Sequence, residues 1–152
     1  MELEVTLQTK VKDWIEIYHY RNGELLAKYQ SEDLVTNVGL NKLAGLLTGL
    51  HTSAFKYVAL GSGTSAPSAT QTSLDSEIVR VEGSVSTVTT SIDGDTGQIV
   101  GSFNFTSTNT LTEIGLFDSA SGGNMLFRQT FPPSVVLSGD SWILTCKVQF
   151  TR

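Results

Sequence analysis

Apolar and polar residues alternate along most of this chain, and this period of two limits its fold more than any other feature. The run from Trp14 to Tyr20 alternates, and so does "SWILTCKVQF" near the C-terminus. Strands place successive side chains on opposite faces, so the pattern is typical of strands with one buried face. In the last strand the buried face should hold Trp142, Leu144 and Phe150, together with Cys146 and Val148.

Turn residues separate the alternating runs at fairly regular intervals. Asn22-Gly23 lies between two such runs and predicts a β-hairpin. Residues 78–92 read as one long strand, and Pro132-Pro133 is expected to interrupt a later one. The other turns are "DGDTG" (93–97), "SASGG" (119–123) and "LSGD" (137–140). Strands divided in this way predict a mainly β protein, an antiparallel β-sandwich or barrel of jelly-roll or tulip type.

A single segment has helical periodicity. Leucines recur at helical spacing at Leu40, Leu43, Leu47 and Leu50, and we expect them to form the apolar face of a helix. Thr36 or Asn37 can cap its start and Gly49 can end it, which predicts one short α-helix near residues 37–48. Gly39 and Gly45 are poor helix formers, and we expect them to allow another backbone to approach closely.

The length of 152 residues favours one compact domain. Within it we expect residues 1–30 to form N-terminal strands with the hairpin, the first strand alternating through Leu3, Val5 and Leu7. Residues 31–152 should form the sandwich. The acidic N-terminus lacks the features of a secretory signal, so we expect synthesis in the cytoplasm and a soluble product.

Charge and cysteine content argue against several classes of function. The net charge is −5, and the few Lys and Arg residues are scattered, which disfavours nucleic-acid and membrane partners. No apolar run approaches the roughly 18 residues of a membrane span. The one cysteine, Cys146, excludes an internal disulfide framework, and its apolar neighbours predict a buried thiol.

One loop approaches a dinucleotide-binding fingerprint. Gly61, Gly63 and Ala66 spell G-x-G-x-x-A, and Glu82 follows about twenty residues after the first glycine. Such a site needs a helix that begins within the motif. Pro67 disfavours helical geometry at Ala66, and no helical pattern follows. We therefore expect a surface loop and no bound nucleotide.

No other set of residues carries a catalytic pattern. His19 and His51 belong to no Cys/His cluster with metal-ligand spacing, so a structural role is expected for both. Asp93 and Asp95 most resemble a hairpin turn, although weak Ca²⁺ binding there stays open. We therefore predict a protein that is not an enzyme, with no catalytic residue, no cofactor and no metal site.

Two segments together resemble small virion structural proteins of tailed bacteriophages. In "LVTNVGLNKLAGLLTG…FKYVALGSGTSAPSATQTSLDSEIVR", a short helix precedes a strand that ends in an A-x-G-x-G-T loop. In "TEIGLFDSASGGNMLFRQTF…LSGDSWILTCKVQF", a strand leads through a glycine turn, and "GDS" opens the last strand. The resemblance covers about Leu34 to Phe150.

The resemblance implies an all-β protein of the virion that forms a homotrimer. In such a fold residues 61–72 would be a connection across the end of a sheet, with glycines at positive φ. The compact size favours a capsid decoration (cement) protein that binds the major capsid protein from outside. Residues Met1–Lys12 would then reach a neighbouring subunit.

The alternative is a tail-fibre, baseplate or tail-tip protein that binds other tail proteins and a receptor or carbohydrate. A binding module of that kind should present a cluster of exposed aromatic side chains. The candidates are Trp14, Tyr18, Tyr20 and Tyr29, near the predicted N-terminal hairpin.

Overall fold

A computed structural model describes residues 1–4 and 8–152 and confirms the predicted fold class. Two antiparallel sheets of five strands each pack as a sandwich, and they do not close into a barrel. The elements in chain order are β1 Lys10–Arg21, β2 Glu24–Glu32, β3 Leu34–Val35, α1 Asn37–Thr48, β4 Tyr57–Gly61, β5 Glu77–Glu82, β6 Ser84–Val88, β7 Thr96–Asn104, β8 Asn109–Phe117, β9 Met125–Val136 and β10 Ser141–Thr151.

Each sheet has a defined strand order. The first sheet runs β2-β1-β10-β7-β6 and the second runs β3-β9-β8-β4-β5. Residues 1–30 supply β1 and most of β2, and β1 lies in the interior of the first sheet, between β2 and β10. The expected strand through Leu3, Val5 and Leu7 includes residues 5–7, which lie outside the described residues.

The N-terminal hairpin forms at the predicted turn. Asn22 and Gly23 both have positive φ, at 52° and 79°, as a two-residue type I′ turn requires. The flanking strands pair from Arg21↔Glu24 to Trp14↔Glu32. The local sequence signal was therefore sufficient to locate this hairpin.

The apolar core lies between the two sheets, and it contains most of the predicted face of β10. Trp142, Leu144 and Cys146 are buried, as expected, but Phe150 is 48% exposed. Pairing of β10 with β7 ends at Gln149, so Phe150 is paired only with Val11 of β1 and lies past the end of the ladder on its other side. Alternation thus predicted the face correctly and failed at the end of the strand.

The expected long strand over residues 78–92 is divided at Gly83. Its first part, β5, belongs to the second sheet, and its second part, β6, belongs to the first. The Gly83 amide donates to the Lys56 carbonyl at 2.7 Å. A Cβ atom at Gly83 would lie 2.7 Å from Ile99 Cγ2 and 3.0 Å from the Val100 oxygen. At the point where the chain changes sheets, the close approach of Ile99 and Val100 therefore favours glycine.

The expected break at Pro132-Pro133 is absent, because β9 continues through both prolines to Val136. The ladder with β8 shifts register at this level, between Leu111 and Glu113. On the other side, β3 pairs only with Phe127 and Arg128. The prolines therefore lie where β9 needs fewer amide donors, as is typical of bulges and strand edges.

Helix α1 has the predicted bounds, with Thr36 as N-cap and Gly49 in the left-handed conformation at its end. The predicted apolar face is wrong at three of its four leucines, since only Leu43 packs against the core, and it is half-buried. Leu40, Leu47 and Leu50 are 50%, 89% and 82% exposed, and the buried helical residues are Gly39, Lys42 and Gly45.

Close backbone contact decides which side of α1 is buried. A Cβ atom at Gly39 would lie 2.5 Å from the Leu126 carbonyl oxygen, so the predicted backbone approach is confirmed there. Gly45 instead accommodates the ring of His51. Lys42 Nζ lies 2.9 Å from Asp118 Oδ2 in a buried ion pair, which fixes the rotation of the helix.

The first prediction concerns Trp142, whose ring lies 5.7–5.9 Å from the rings of His19, Phe105 and Phe131. Trp142→Ala should lower the free energy of unfolding by about 3–5 kcal/mol, because it removes a large buried side chain and leaves a cavity. Chemical denaturation measures the change. The neighbouring outward-facing Ile143 provides the control, and Ile143→Ala should cost about 1 kcal/mol or less. Equal losses would contradict this assignment of the two faces.

Candidate functional site

The glycine-rich loop, defined here as residues 62–76 between β4 and β5, folds around a buried carboxylate. Glu113, on β8, is fully buried. Its Oε1 accepts hydrogen bonds from the amides of Gly63 and Ser76, each at 2.8 Å, and its Oε2 accepts from the Asp75 amide at 3.0 Å. One side chain thus holds both ends of the loop.

Arg128, on β9, is the buried partner of this carboxylate. Its Nε donates to Glu113 Oε2 at 2.8 Å, and its Nη2 donates to Asp75 Oδ2 at 2.9 Å. Nη1 donates to the Ser65 carbonyl at 2.9 Å and to Gln71 Oε1 at 3.3 Å. The guanidinium therefore fixes the middle of the loop, while Glu113 fixes its ends.

The two glycines of the apparent fingerprint are explained by Glu113. A Cβ atom at either Gly61 or Gly63 would lie 2.5 Å from Glu113 Oε1. Neither glycine has positive φ, so the expectation of left-handed glycines is wrong. They are needed because the Glu113 carboxylate and the end of the loop at Asp75 and Ser76 both lie against the backbone here. Ala66 follows in a segment without helix, and Glu82 is an exposed partner of Lys56.

The loop covers the outer face of the second sheet. Leu74 packs with Ala59, Phe117 and Met125 in a second apolar cluster, separate from the core between the sheets. Strand β8 is consequently buried on both faces from Leu111 to Phe117. The expectation that the loop crosses the end of the sheet is therefore wrong.

A second charged cluster joins the N-terminal hairpin to the turn before β10. Asp140 Oδ2 lies 2.8 Å from His19 Nε2, and Arg21 donates to both carboxylate oxygens at 2.8 and 2.7 Å. The hydrogen bonds from Arg21 hold the pKa of Asp140 well below its usual range. His19, predicted to be structural, is thus buried and bonded to a carboxylate.

The candidate aromatic cluster is divided between the two faces of the first sheet. Trp14, Tyr18 and Tyr20 are half-buried on its outer face, where lysine ammonium groups lie over Trp14 and Tyr18. Tyr29 points to the other side and lies 5.8 Å from Phe131. There it borders a cleft of about 220 Å³ that also involves His19 and Trp142.

The acidic turn at Asp93 and Asp95 uses its carboxylates for its own structure. Asp95 accepts hydrogen bonds from the amides of Thr90, Ser91 and Ile92 and from Gln149 Nε2. Partial burial works against ionisation, but these donors lower the pKa of Asp95 below its usual range. A cation at Asp95 would have to compete with those N–H groups.

A different pair of aspartates has unused oxygens. Asp13, on β1, is 8% exposed, and Asp33 lies between β2 and β3. Asp13 Oδ2 and both carboxylate oxygens of Asp33 are buried and accept no hydrogen bond from the described residues. An unpaired buried polar group costs about 1–3 kcal/mol, and more if it is charged.

The aspartates border a cleft of about 620 Å³ between the ends of β1 and β2. Its lining contains three acidic residues, Asp13, Glu32 and Asp33, and one lysine, Lys12. Burial, and then the charge of Glu32, raises the pKa of Asp13 to about 7. Burial, and then the charge of Asp13, raises the pKa of Asp33 to about 9. The buried carboxyl oxygens that have no hydrogen-bond partner among the described residues make this cleft the main candidate ligand site.

Comparison with protein-family models and with curated proteins finds no match for this chain. Within residues 1–4 and 8–152, no group of three His, Cys, Asp or Glu side chains is arranged to hold a metal ion. The one described helix is too short to cross a membrane.

Sequence reasoning missed Glu113, Arg128, Asp13 and Asp33. A signal was present for each of them. Glu113 and Arg128 are opposite charges inside two apolar runs, "LTEIGLF" and "NMLFRQTF", that flank the predicted turn at residues 119–123. Asp13 lies two and four residues before the buried Ile15 and Ile17, so its side chain is on the same face of β1 as theirs. A charged residue within a buried apolar stretch requires a partner, and that requirement locates a cluster before the partner is known.

The second prediction concerns the Glu113 carboxylate. Glu113→Gln leaves the Arg128 charge without its buried counter-ion and places an amide N–H₂ among backbone N–H donors. We expect a loss of about 3–5 kcal/mol in the free energy of unfolding. Hydrogen exchange should also accelerate at the amides of Gly63, Asp75 and Ser76.

Glu82→Gln is the matched control, because Glu82 pairs with Lys56 at the surface. Breaking an exposed ion pair should cost about 1 kcal/mol or less. If the two variants lose the same stability, or if exchange in the loop is unchanged in Glu113→Gln, the carboxylate does not hold the loop.

Proposed function

We propose that this protein is a structural protein of a bacteriophage virion, a decoration protein that binds the outer surface of the capsid and reinforces the shell. The β-sandwich fold and the sequence resemblance support this proposal. The observation that carries it is the exposed leucine face of α1, because a structural protein works by contact with its neighbours.

This leucine face, formed by Leu40 and Leu47 of α1 and by Leu50 just after its C-cap, is suited to contact with another copy of the chain. The only charged residue of the segment 37–50 is Lys42, and it is buried in its pair with Asp118. The face therefore has no exposed charge, whereas the whole chain carries −5. Copies that repel one another elsewhere can approach here, and contacts between identical subunits are enriched in apolar area. We propose that the face joins the chains of a homotrimer.

Attachment to the shell involves the segment before β1. Residues 1–4 are exposed and β1 begins at Lys10, so the contact segment ends at Thr9 and not at Lys12. Each trimer would bring three such segments to the junction between major capsid protein subunits. Several modest contacts on one particle reinforce one another through a high effective concentration.

The third prediction tests the trimer. Leu47→Glu places a charge in the proposed interface and should convert the trimer to a monomer, because burying an unpaired carboxylate is unfavourable. Light scattering during size-exclusion chromatography measures the mass. Leu25→Glu, at a leucine that is 52% exposed on β2, is the control and should remain trimeric. A wild-type monomer at tens of micromolar, or a trimeric Leu47→Glu variant, would contradict this interface.

The fourth prediction tests the attachment. The purified protein should sediment with undecorated expanded capsids in a saturable manner and should not sediment with isolated tails. Deletion of residues 1–9 should lower this binding by at least about tenfold, through loss of multivalent contacts. Circular dichroism and light scattering should show an unchanged fold and mass for the deletion variant. Binding to tails alone would overturn the capsid proposal and support the tail-protein alternative.

A further inference from the structure

We propose that Asp13 and Asp33 form a binding site for a calcium ion at the cleft between the ends of β1 and β2. The site is separate from the leucine face of α1, and it does not depend on the proposed place in a virion. It would connect β1 to the residue at which the chain leaves the first sheet for the second.

Among the described residues, three buried carboxylate oxygens at the cleft have no hydrogen-bond partner and are available as ligands. Asp13 is more than nine-tenths buried, and its Oδ2 accepts nothing from the described residues. Both carboxylate oxygens of Asp33 are also buried and accept no hydrogen bond from the described residues. The Asp33 amide donates to the Asp13 carbonyl at 3.3 Å, so the two residues are held side by side.

The charge around the pair selects a cation. Asp13, Glu32 and Asp33 border the cleft against the single charge of Lys12. Lys12 is exposed, and its ammonium forms no hydrogen bond with the unpartnered oxygens. When both are ionised, two aspartates placed together without a positive partner repel each other, and a divalent ion between them would reverse the sign of that interaction.

The kind of ligand and the shape of the cleft favour calcium. Carboxylate and carbonyl oxygens are hard ligands, and Ca²⁺ accepts six to eight of them in irregular geometry, whereas Mg²⁺ demands near-ideal octahedral geometry. Gln30 and Ser31 also line the cleft, whose volume of about 620 Å³ leaves room for water. With two aspartates and no third acidic ligand in place, we expect an affinity in the range of about 10⁻⁴–10⁻³ M.

Isothermal titration of the chelator-treated full chain with CaCl₂ tests the site. We expect saturable binding of about one ion per chain. The thermal unfolding midpoint should rise with CaCl₂ and not with NaCl at equal ionic strength, because a ligand that binds only the folded state stabilises it.

Three variants give the result its specificity. Asp33→Asn and Asp13→Asn should each weaken calcium binding by at least about tenfold, since affinity follows the charge of the ligands. Asp93→Asn removes an exposed carboxylate from the other acidic turn and should bind calcium as the wild type does. Circular dichroism checks the fold of each variant. If Asp13→Asn does not fold, calcium binding by Asp33→Asn alone decides the test.

Other outcomes would overturn the site. No saturable heat up to about 10 mM calcium, beyond the weak end of the expected range, would show that the aspartates bind no calcium. Wild-type affinity in a folded Asp33→Asn variant, or loss of binding in Asp93→Asn, would place any bound ion elsewhere. A thermal shift that NaCl reproduces would reflect screening of the acidic chain and no specific ion.

Discussion

The buried ion pair between Glu113 and Arg128 organises most of the second sheet. These residues lie on adjacent strands and face outward, where water would normally hydrate them. The glycine-rich loop, residues 62–76, replaces that water with three backbone amides on Glu113 and one carbonyl on Arg128. A buried charge pair is tolerated only if its remaining hydrogen-bonding positions are filled. The loop therefore requires the pair, and the pair requires the loop.

Helix α1 depends on the same arrangement. The Asn37 amide, at the start of the helix, donates to the Ala69 carbonyl of the loop at 2.8 Å. The Thr36 amide donates to the Leu126 carbonyl at 2.8 Å, two residues before Arg128. The position of the helix is thus set by the loop on one side and by β9 on the other. Leu40 and Leu47 face solvent because glycine and lysine occupy the side that approaches β9, while Leu43 and Leu46 are half-buried against the core.

Local signals in the sequence were sufficient for part of this structure. Asn22-Gly23 and the caps at Thr36 and Gly49 act within a few residues, and the elements they bound were predicted correctly. The sheet change at Gly83 and the orientation of α1 depend on atoms far away in the chain, at Val100 and Leu126. Alternation alone does not reveal such contacts. The charged clusters were missed for the same reason, since each pairs residues that are distant in sequence.

The proline pair of β9 has a consequence for proteins crowded on a surface. Beyond Arg128 no described strand pairs with the outer edge of β9, and an unpaired edge is a template on which other chains can form intermolecular β-structure. Pro132 and Pro133 are exposed and have no N–H to offer to an incoming strand. They make the edge a poor nucleus for amyloid-like aggregation. At high local concentration, this edge of β9 therefore resists pairing with a strand of a neighbouring molecule, and contacts between molecules are left to other surfaces.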